Sequence, residues 1–216
     1  MLQTSGYLRD YFRAEAQGWE AATYLKARPI AGNRTLGAEA LTEVRQTLLS
    51  RFRAGPGAVA ELARQLVHTR ERLEKEGTGP RAKGEFKKLS GGYYDIEYLL
   101  AFLFLVRSPE LSEPAHPLQQ IGALEATGLL ERSAARALRN AALLYRGLDH
   151  ALRVITGRPA HRLPEPAFAE RATVLLHEWG IPVESTLEET VSRARRQVRQ
   201  IYEQMLSPVA GVPRTG

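Results

Sequence analysis

Gly91-Gly92-Tyr93-Tyr94-Asp95-Ile96-Glu97-Tyr98-Leu99-Leu100-Ala101-Phe102-Leu103-Phe104-Leu105-Val106 is the stretch that decides the fold. After the two glycines it is apolar almost all round, without the two-residue alternation of a half-buried strand. A helix of that kind needs cover on every side, so the stretch predicts a central helix wrapped by others. Its uncharged run, Tyr98 to Val106, is too short to span a bilayer, which takes about 20 residues.

The flanking sequence supplies the cover. Tyr7, Leu8, Tyr11, Phe12, Trp19, Ala22 and Thr23 share one face of a helix running from Tyr7 to Ala27, stopped by Pro29 and Gly32. Leu41, Val44, Leu48, Leu49 and Phe52 mark a second helix, broken at Gly55-Pro56-Gly57. Val59, Leu62, Leu66 and Leu73 stripe a third between Ala58 and Glu76. Polar, glycine-rich sequence from Gly77 to Gly84 predicts a loop, and Pro109, Pro114 and Pro117 mark another.

Beyond them Leu118, Ile121 and Leu124 begin a helix that Gly128 ends. Ser133 is the expected N-cap of a long helix reaching Ile155. Phe168, Ala172, Leu175, Leu176 and Trp179 give one more face, closed by Gly180. Ser185-Thr186-Leu187-Glu188 has the capping-box pattern and opens the last helix. That helix carries a seam of Leu187, Val191, Ala194, Val198, Ile201 and Met205. Its Arg193, Arg195, Arg196 and Arg199 are expected in solvent, complementing the helix C-terminus. No segment alternates like a strand between turns and no period of 20 to 50 residues repeats. The fold class is all-α, a multi-helix array with a division near Gly55.

Composition narrows the function classes. Hydrophobic residues make up 44% and charged residues 25%, ordinary for a globular chain. There is no cysteine, hence no disulfide and no thiolate metal site, which fits a reducing compartment. Tyr7, Arg9, Asp10, Tyr11 and Arg13 interrupt any signal-peptide core, so the expected location is the cytoplasm, with no membrane partner. The net charge is +6, carried mostly by arginine, but the arginines are spread among glutamates and not interleaved with aromatics. A solvated basic surface explains that better than nucleic acid, which is disfavoured as a partner.

Chemistry-bearing residues are sparse. The five histidines, His68, His116, His150, His161 and His177, show no metal-ligand spacing. Asp10, Asp95 and Asp149 are the chain's aspartates, and Asp95-Ile96-Glu97 is its one Asp-x-acidic element. On a helix those two carboxylates lie about 200° apart and do not grip one ion. Asp95 therefore reads as a structural anchor and Glu97 as part of a buried wall between helices. Lys87, Arg28 or an arginine of the Ser133–Ile155 helix is the expected partner. The Gly91-Gly92 turn has two readings. One is an outward anion site strengthened by Lys87 and Lys88. The other, preferred on the residues alone, is a close backbone passage with the second glycine at positive φ or against another backbone. Lys26 and Arg28 read as cations complementing a helix C-terminus.

Taken together, two segments resemble a known family. Trp19-Glu20 with Lys26-Ala27-Arg28-Pro29-Ile30-Ala31-Gly32, then Lys87 to Gly91-Gly92-x-x-Asp95-Ile96-Glu97-Tyr98, resembles the glutamine synthetase adenylyltransferases. Tyr145-Arg146 with Asp149-His150, Arg162-Leu163-Pro164 and the arginine-rich helix through Tyr202 fit as well, so the likeness runs from Ser5 to Leu206. It implies that Trp19, Glu20, Lys26, Arg28 and Gly32 belong to the tail of a nucleotidyltransferase domain. Lys87, Gly91, Gly92, Asp95 and Glu97 belong to the signature of a helical domain shared with the protein-PII uridylyltransferases.

The implied organisation is a helical tail over 1–54, the helical domain over 55–206 and a disordered tail over 207–216. The implied activity is transfer of AMP to, or its removal from, a tyrosine of glutamine synthetase, with ATP and magnesium as cofactors. The implied partners are glutamine synthetase, a PII-type signal protein and an upstream nucleotidyltransferase segment. The family pattern departs at Ala21, Asn33 and Ala101, where it has Arg, Asp and Gln. Its metal-holding Gly-Ser and Asp-x-Asp motif belongs upstream of Tyr7 and is missing. The chain is thus expected to be a fragment, split product or degenerate member, inactive alone and binding neither cofactor tightly. The alternative reading is a non-catalytic helical module that binds a regulatory protein.

Overall fold

The computed structural model describes residues 5–77, 84–107, 116–159 and 161–211. Among the described residues ten helices run in chain order: α1 Ser5–Ala14, α2 Gly18–Tyr24, α3 Arg34–Phe52, α4 Pro56–Gly77, α5 Tyr93–Arg107, α6 Pro117–Ala126, α7 Arg132–Thr156, α8 Pro166–Glu178, α9 Leu187–Met205 and α10 Ser207–Ala210. Among the described residues there is no strand beyond one isolated bridge, Glu85 with Arg162. The loops expected over 78–83 and at Pro109 and Pro114 lie outside the described residues, as does the chain beyond Gly211.

The apolar helix α5 is central, as its composition requires. Ile96 and every residue from Leu99 to Leu105 are buried, and α2, α3, α4, α6, α7 and α9 all pack against it. One hydrophobic core contains residues from both sides of Gly55, from Phe12 and Leu48 to Leu148 and Val198.

Several expectations are corrected. The first helix is interrupted over 15–17, because Gln17 takes an extended N-cap conformation and the Glu20 carboxylate accepts its N–H at 2.8 Å. Arg51 of α3 donates to the Phe12 and Ala16 carbonyls that the break exposes, at 3.1 and 2.8 Å. The long helix starts two residues early, with Glu131 rather than Ser133 at its N-cap. In the last helix the box is Thr186 with Glu189, one residue later than the quoted pattern. The chain does not fray at Ser207: α10 packs on α4, with Ser207 and Ala210 both buried. Phe168 and Trp179 also stand partly exposed, leaving Ala172 and Leu176 to anchor α8.

Candidate functional site

The signature segment folds as a loop, residues 84–92, that enters α5 and is held by the helices around it. Its own carboxylates fill its amides first. Glu85, buried, accepts the N–H groups of Lys87, Lys88 and Leu89 at 3.0, 2.5 and 2.8 Å. Asp95 reaches back and accepts the Gly91 N–H at 2.7 Å. The Phe86 and Lys87 carbonyls accept from Tyr93 and Tyr94 at the start of α5. The Gly92 N–H donates to the Leu89 carbonyl at 2.8 Å, so both glycine amides of the turn are engaged within the loop and α5, which argues against an outward-facing anion site there.

The neighbouring helices then fix the loop. From α4, Arg70 donates through Nε to Asp95 and through its terminal nitrogen to the Leu89 carbonyl at 2.9 Å. From α7, the Tyr145 hydroxyl donates to the Gly91 carbonyl at 2.8 Å, and burial pushes that phenol's pKa well up. From α9, Arg195 donates to the Ser90 carbonyl at 2.9 Å. Gly91 has φ +71, and a Cβ there would run into the Arg195 carbonyl. The positive φ thus belongs to the first glycine, not the second. Gly92 is instead ringed by the Leu89, Lys87 and Phe86 carbonyls, each 2.8 Å from where a Cβ would stand.

Asp95 is the anchor that the spacing suggested, with different partners. It is 0% exposed and Arg70 is 1% exposed. Arg199 of α9 lies 3.5 Å from its other oxygen, while Glu74 and Glu203 balance that guanidinium at 3.6 and 2.6 Å. Burial opposes the charge on Arg199, but Asp95, Glu203 and Glu74 together raise its pKa. Neither Lys87, Arg28 nor an α7 arginine pairs with Asp95. Arg195 and Arg199 are structural rather than solvated, because the faces they occupy turn toward the loop.

Glu97 points elsewhere, as the helical offset demands. It is half-buried and accepts from Lys26 at 2.9 Å, so the two signature segments meet in an ion pair across 71 residues. Glu97 is therefore not a buried wall, and Lys26 serves α5 as well as the end of its own helix. Because the pair is solvent-accessible, Lys26→Met and Glu97→Gln should each lower stability by less than about 1 kcal/mol. A double-variant cycle in denaturant, repeated at high salt, should show a small coupling that salt weakens.

The remaining candidates do not join a common centre. Trp19 is 44% exposed on α2. Glu20 accepts the Tyr11 hydroxyl at 2.5 Å, pushing that phenol up to about 12. Arg28 and Gly32 are exposed, Gly32 with φ +77 in open space. Lys87 stands over the Tyr94 ring and lines a pocket on the loop's outer side.

Magnesium does not fit Asp95 and Glu97. One carboxylate is saturated by Arg70 and the Gly91 amide beside Arg199, and the other, facing away, is neutralised by Lys26. Among the described residues no three His, Cys, Asp or Glu side chains come together to hold a metal.

This arrangement has relatives. The family described as GlnD PII-uridylyltransferase matches residues 60–206, more than half of the chain. The chain belongs to that family. Three similar proteins are all described as bifunctional glutamine synthetase adenylyltransferase/adenylyl-removing enzymes. The protein of Stenotrophomonas maltophilia (strain R551-3) is 29% identical over 216 residues, covering 94% of this chain and 21% of the relative. That of Mesorhizobium japonicum is 32% identical over 162 residues, 72% of this chain and 16% of the relative. That of Cutibacterium acnes is 29% identical over 167 residues, 76% and 16% respectively. The chain therefore spans about a fifth of the length of the relatives it matches. The family match contains the whole loop and all its clamps, from Arg70 to Arg199. Among the described residues no helix is long and apolar enough to cross a membrane.

Proposed function

We propose that this chain is the helical part of a cytoplasmic glutamine synthetase adenylyltransferase-like enzyme, one that moves AMP between ATP and a tyrosine of glutamine synthetase. The observation that carries the reading is the Lys26–Glu97 ion pair. It marks where the segment resembling a nucleotidyltransferase tail meets the signature helix, and α2 packs against α5 beside it within one shared core. The relatives that align over 94% of the chain bear that activity in their names. ATP and Mg2+ are then bound by an upstream nucleotidyltransferase segment, since Asp95 and Glu97 are committed to arginine and lysine. A PII-type signal protein is the expected regulator.

The chain by itself should not transfer AMP, because two-metal phosphoryl transfer needs converging carboxylates. Radiolabelled ATP, glutamine synthetase and the purified chain should give no more label than a control without it. The same chain joined behind the nucleotidyltransferase segment of the Stenotrophomonas relative should label glutamine synthetase, and a chelator should abolish that. Chelator-sensitive label from the chain alone would overturn its inactivity. A folded but inert fusion would favour the second reading, a non-catalytic module docking a PII-type protein.

A further inference from the structure

On the outer side of the signature loop a pocket of about 610 Å³ opens between the loop, α7 and the turn after α8. That is the size of a metabolite site. Its walls divide by chemistry. Phe86, Leu143, Trp179 and Ile181 are apolar, and Trp179, 41% exposed, stands at the rim.

The cations differ among themselves. Arg153 is neutralised by Asp149, whose carboxylate accepts from it at 3.1 Å. Lys87 and Arg146 have no carboxylate within ion-pair distance among the described residues. Lys87 rests over the Tyr94 ring, and Arg146 donates to the Tyr93 hydroxyl, at 3.3 Å. The pocket thus presents two unmatched positive charges beside an apolar wall. Two of its histidines register that field. His161 and His116 are both held below the usual histidine pKa, chiefly by burial and then by Lys87 and Arg146 respectively. The hold on the loop's Leu89, Ser90 and Gly91 carbonyls does not need the two cations, since Arg70, Arg195 and Tyr145 supply it.

We propose that this pocket binds a small organic dianion, its charged head between Lys87 and Arg146 and a flat or aliphatic body against Trp179 and Ile181. Two fixed cations match two negative charges, and a guanidinium offers paired donors to a phosphate or carboxylate head. The apolar wall distinguishes this ligand from a bare inorganic anion. The inference is independent of the proposed function, because it uses no residue of the Lys26–Glu97 junction.

Trp179 supplies the readout. The chain has two tryptophans, so Trp19→Phe leaves Trp179 as the single reporter beside the site. The full chain carrying that change is titrated with phenyl phosphate and phthalate, which carry a head and a ring. Phenol is the ring alone and inorganic phosphate the head alone, with ionic strength constant throughout. At least one of the two dianions should change Trp179 emission saturably, with a Kd of about 1 mM or tighter. It should bind at least about tenfold more tightly than phenol or phosphate, and the better dianion identifies the head. Lys87→Gln and Arg146→Gln should each weaken binding about tenfold or more. Both residues line the pocket and neither is buried, and circular dichroism checks the folding of the variants. Equal binding of phenol would show a merely apolar cleft and overturn the proposal. So would equal binding of inorganic phosphate, retention of affinity in both variants, or no saturable signal from either dianion.

Discussion

Replacing Gly91 with valine should cost about 2–6 kcal/mol, the sum of a backbone cost and a packing cost. Gly91 sits at φ +71, and a side chain there would enter the space of the Arg195 carbonyl. The left-handed conformation costs a non-glycine residue about 1–3 kcal/mol. Forcing extra atoms into a packed site costs a similar amount again. The obstacle is backbone and cannot turn aside as a flexible side chain would. Val191 and Val198 hold α9 in the core, and the Arg195 side chain already binds the Ser90 carbonyl. Set against a whole-domain stability of about 5–15 kcal/mol, that loss brings the chain near unfolding.

Gly32→Val provides the comparison. Its φ is +77, but nothing lies within 4 Å of a Cβ there. It should therefore lose only the conformational part, about 1–3 kcal/mol. Gly92→Val falls between, at about 2 kcal/mol or more, since it has ordinary φ but meets three carbonyls. Denaturant midpoints for the three variants should rank Gly91 worst. Equal losses at Gly91 and Gly32 would show that the approach of α9 carries no energy.

That contrast also measures what the sequence makes legible. The period of three and four exposes the helices, and the uniform apolarity of residues 99–105 places α5 at the centre. Asp95 and Glu97 can be assigned different faces before any coordinate is known, because i and i+2 diverge on a helix. What pairs with Asp95 is harder to see, although a trace exists. The stripe Val59, Leu62, Leu66 and Leu73 skips a position, and Arg70, four residues after Leu66, fills it. A charged residue in a core stripe implies a buried counter-charge, yet the stripe does not say which of three aspartates supplies it.

Arg195 leaves a similar trace, four residues after the buried Val191, but its role depends on how closely α9 approaches the loop. Such approaches are tertiary facts. The break over 15–17 is hidden for a related reason: Tyr11, Phe12 and Trp19 keep helical spacing across it. The interruption depends on Arg51, 35 residues beyond Ala16. Local periodicity carries no record of a partner that distant.

Removing either half of the Arg70–Asp95 pair should destabilise the fold by about 3–5 kcal/mol, because the surviving buried charge keeps only a longer contact, Arg70 to Glu74 at 3.8 Å or Asp95 to Arg199 at 3.5 Å. Asp95→Asn leaves the buried Arg70 with only Glu74, at 3.8 Å, and Arg199 loses one of the three carboxylates around it. Arg70→Met leaves Asp95 with only the longer Arg199 contact and the Gly91 N–H, and strips the Leu89 carbonyl of its donor. The two losses should not add. Once one charge has gone, removing the other relieves part of the cost, so the double variant should be more stable than the sum of singles predicts. It should not recover fully, since a neutral amide accepts the Gly91 N–H more weakly than the carboxylate it replaces, and Arg199 remains. Magnesium should leave every melting temperature in the series unchanged. The Asp95 oxygens are held by Arg70 and the Gly91 amide, and an added dication would have to displace them beside a second guanidinium. A rise in the parent chain's melting temperature with magnesium, abolished by Asp95→Asn, would make this carboxylate a metal ligand and overturn the anchor. Additive losses in the double variant would instead show that the two charges act on the fold separately.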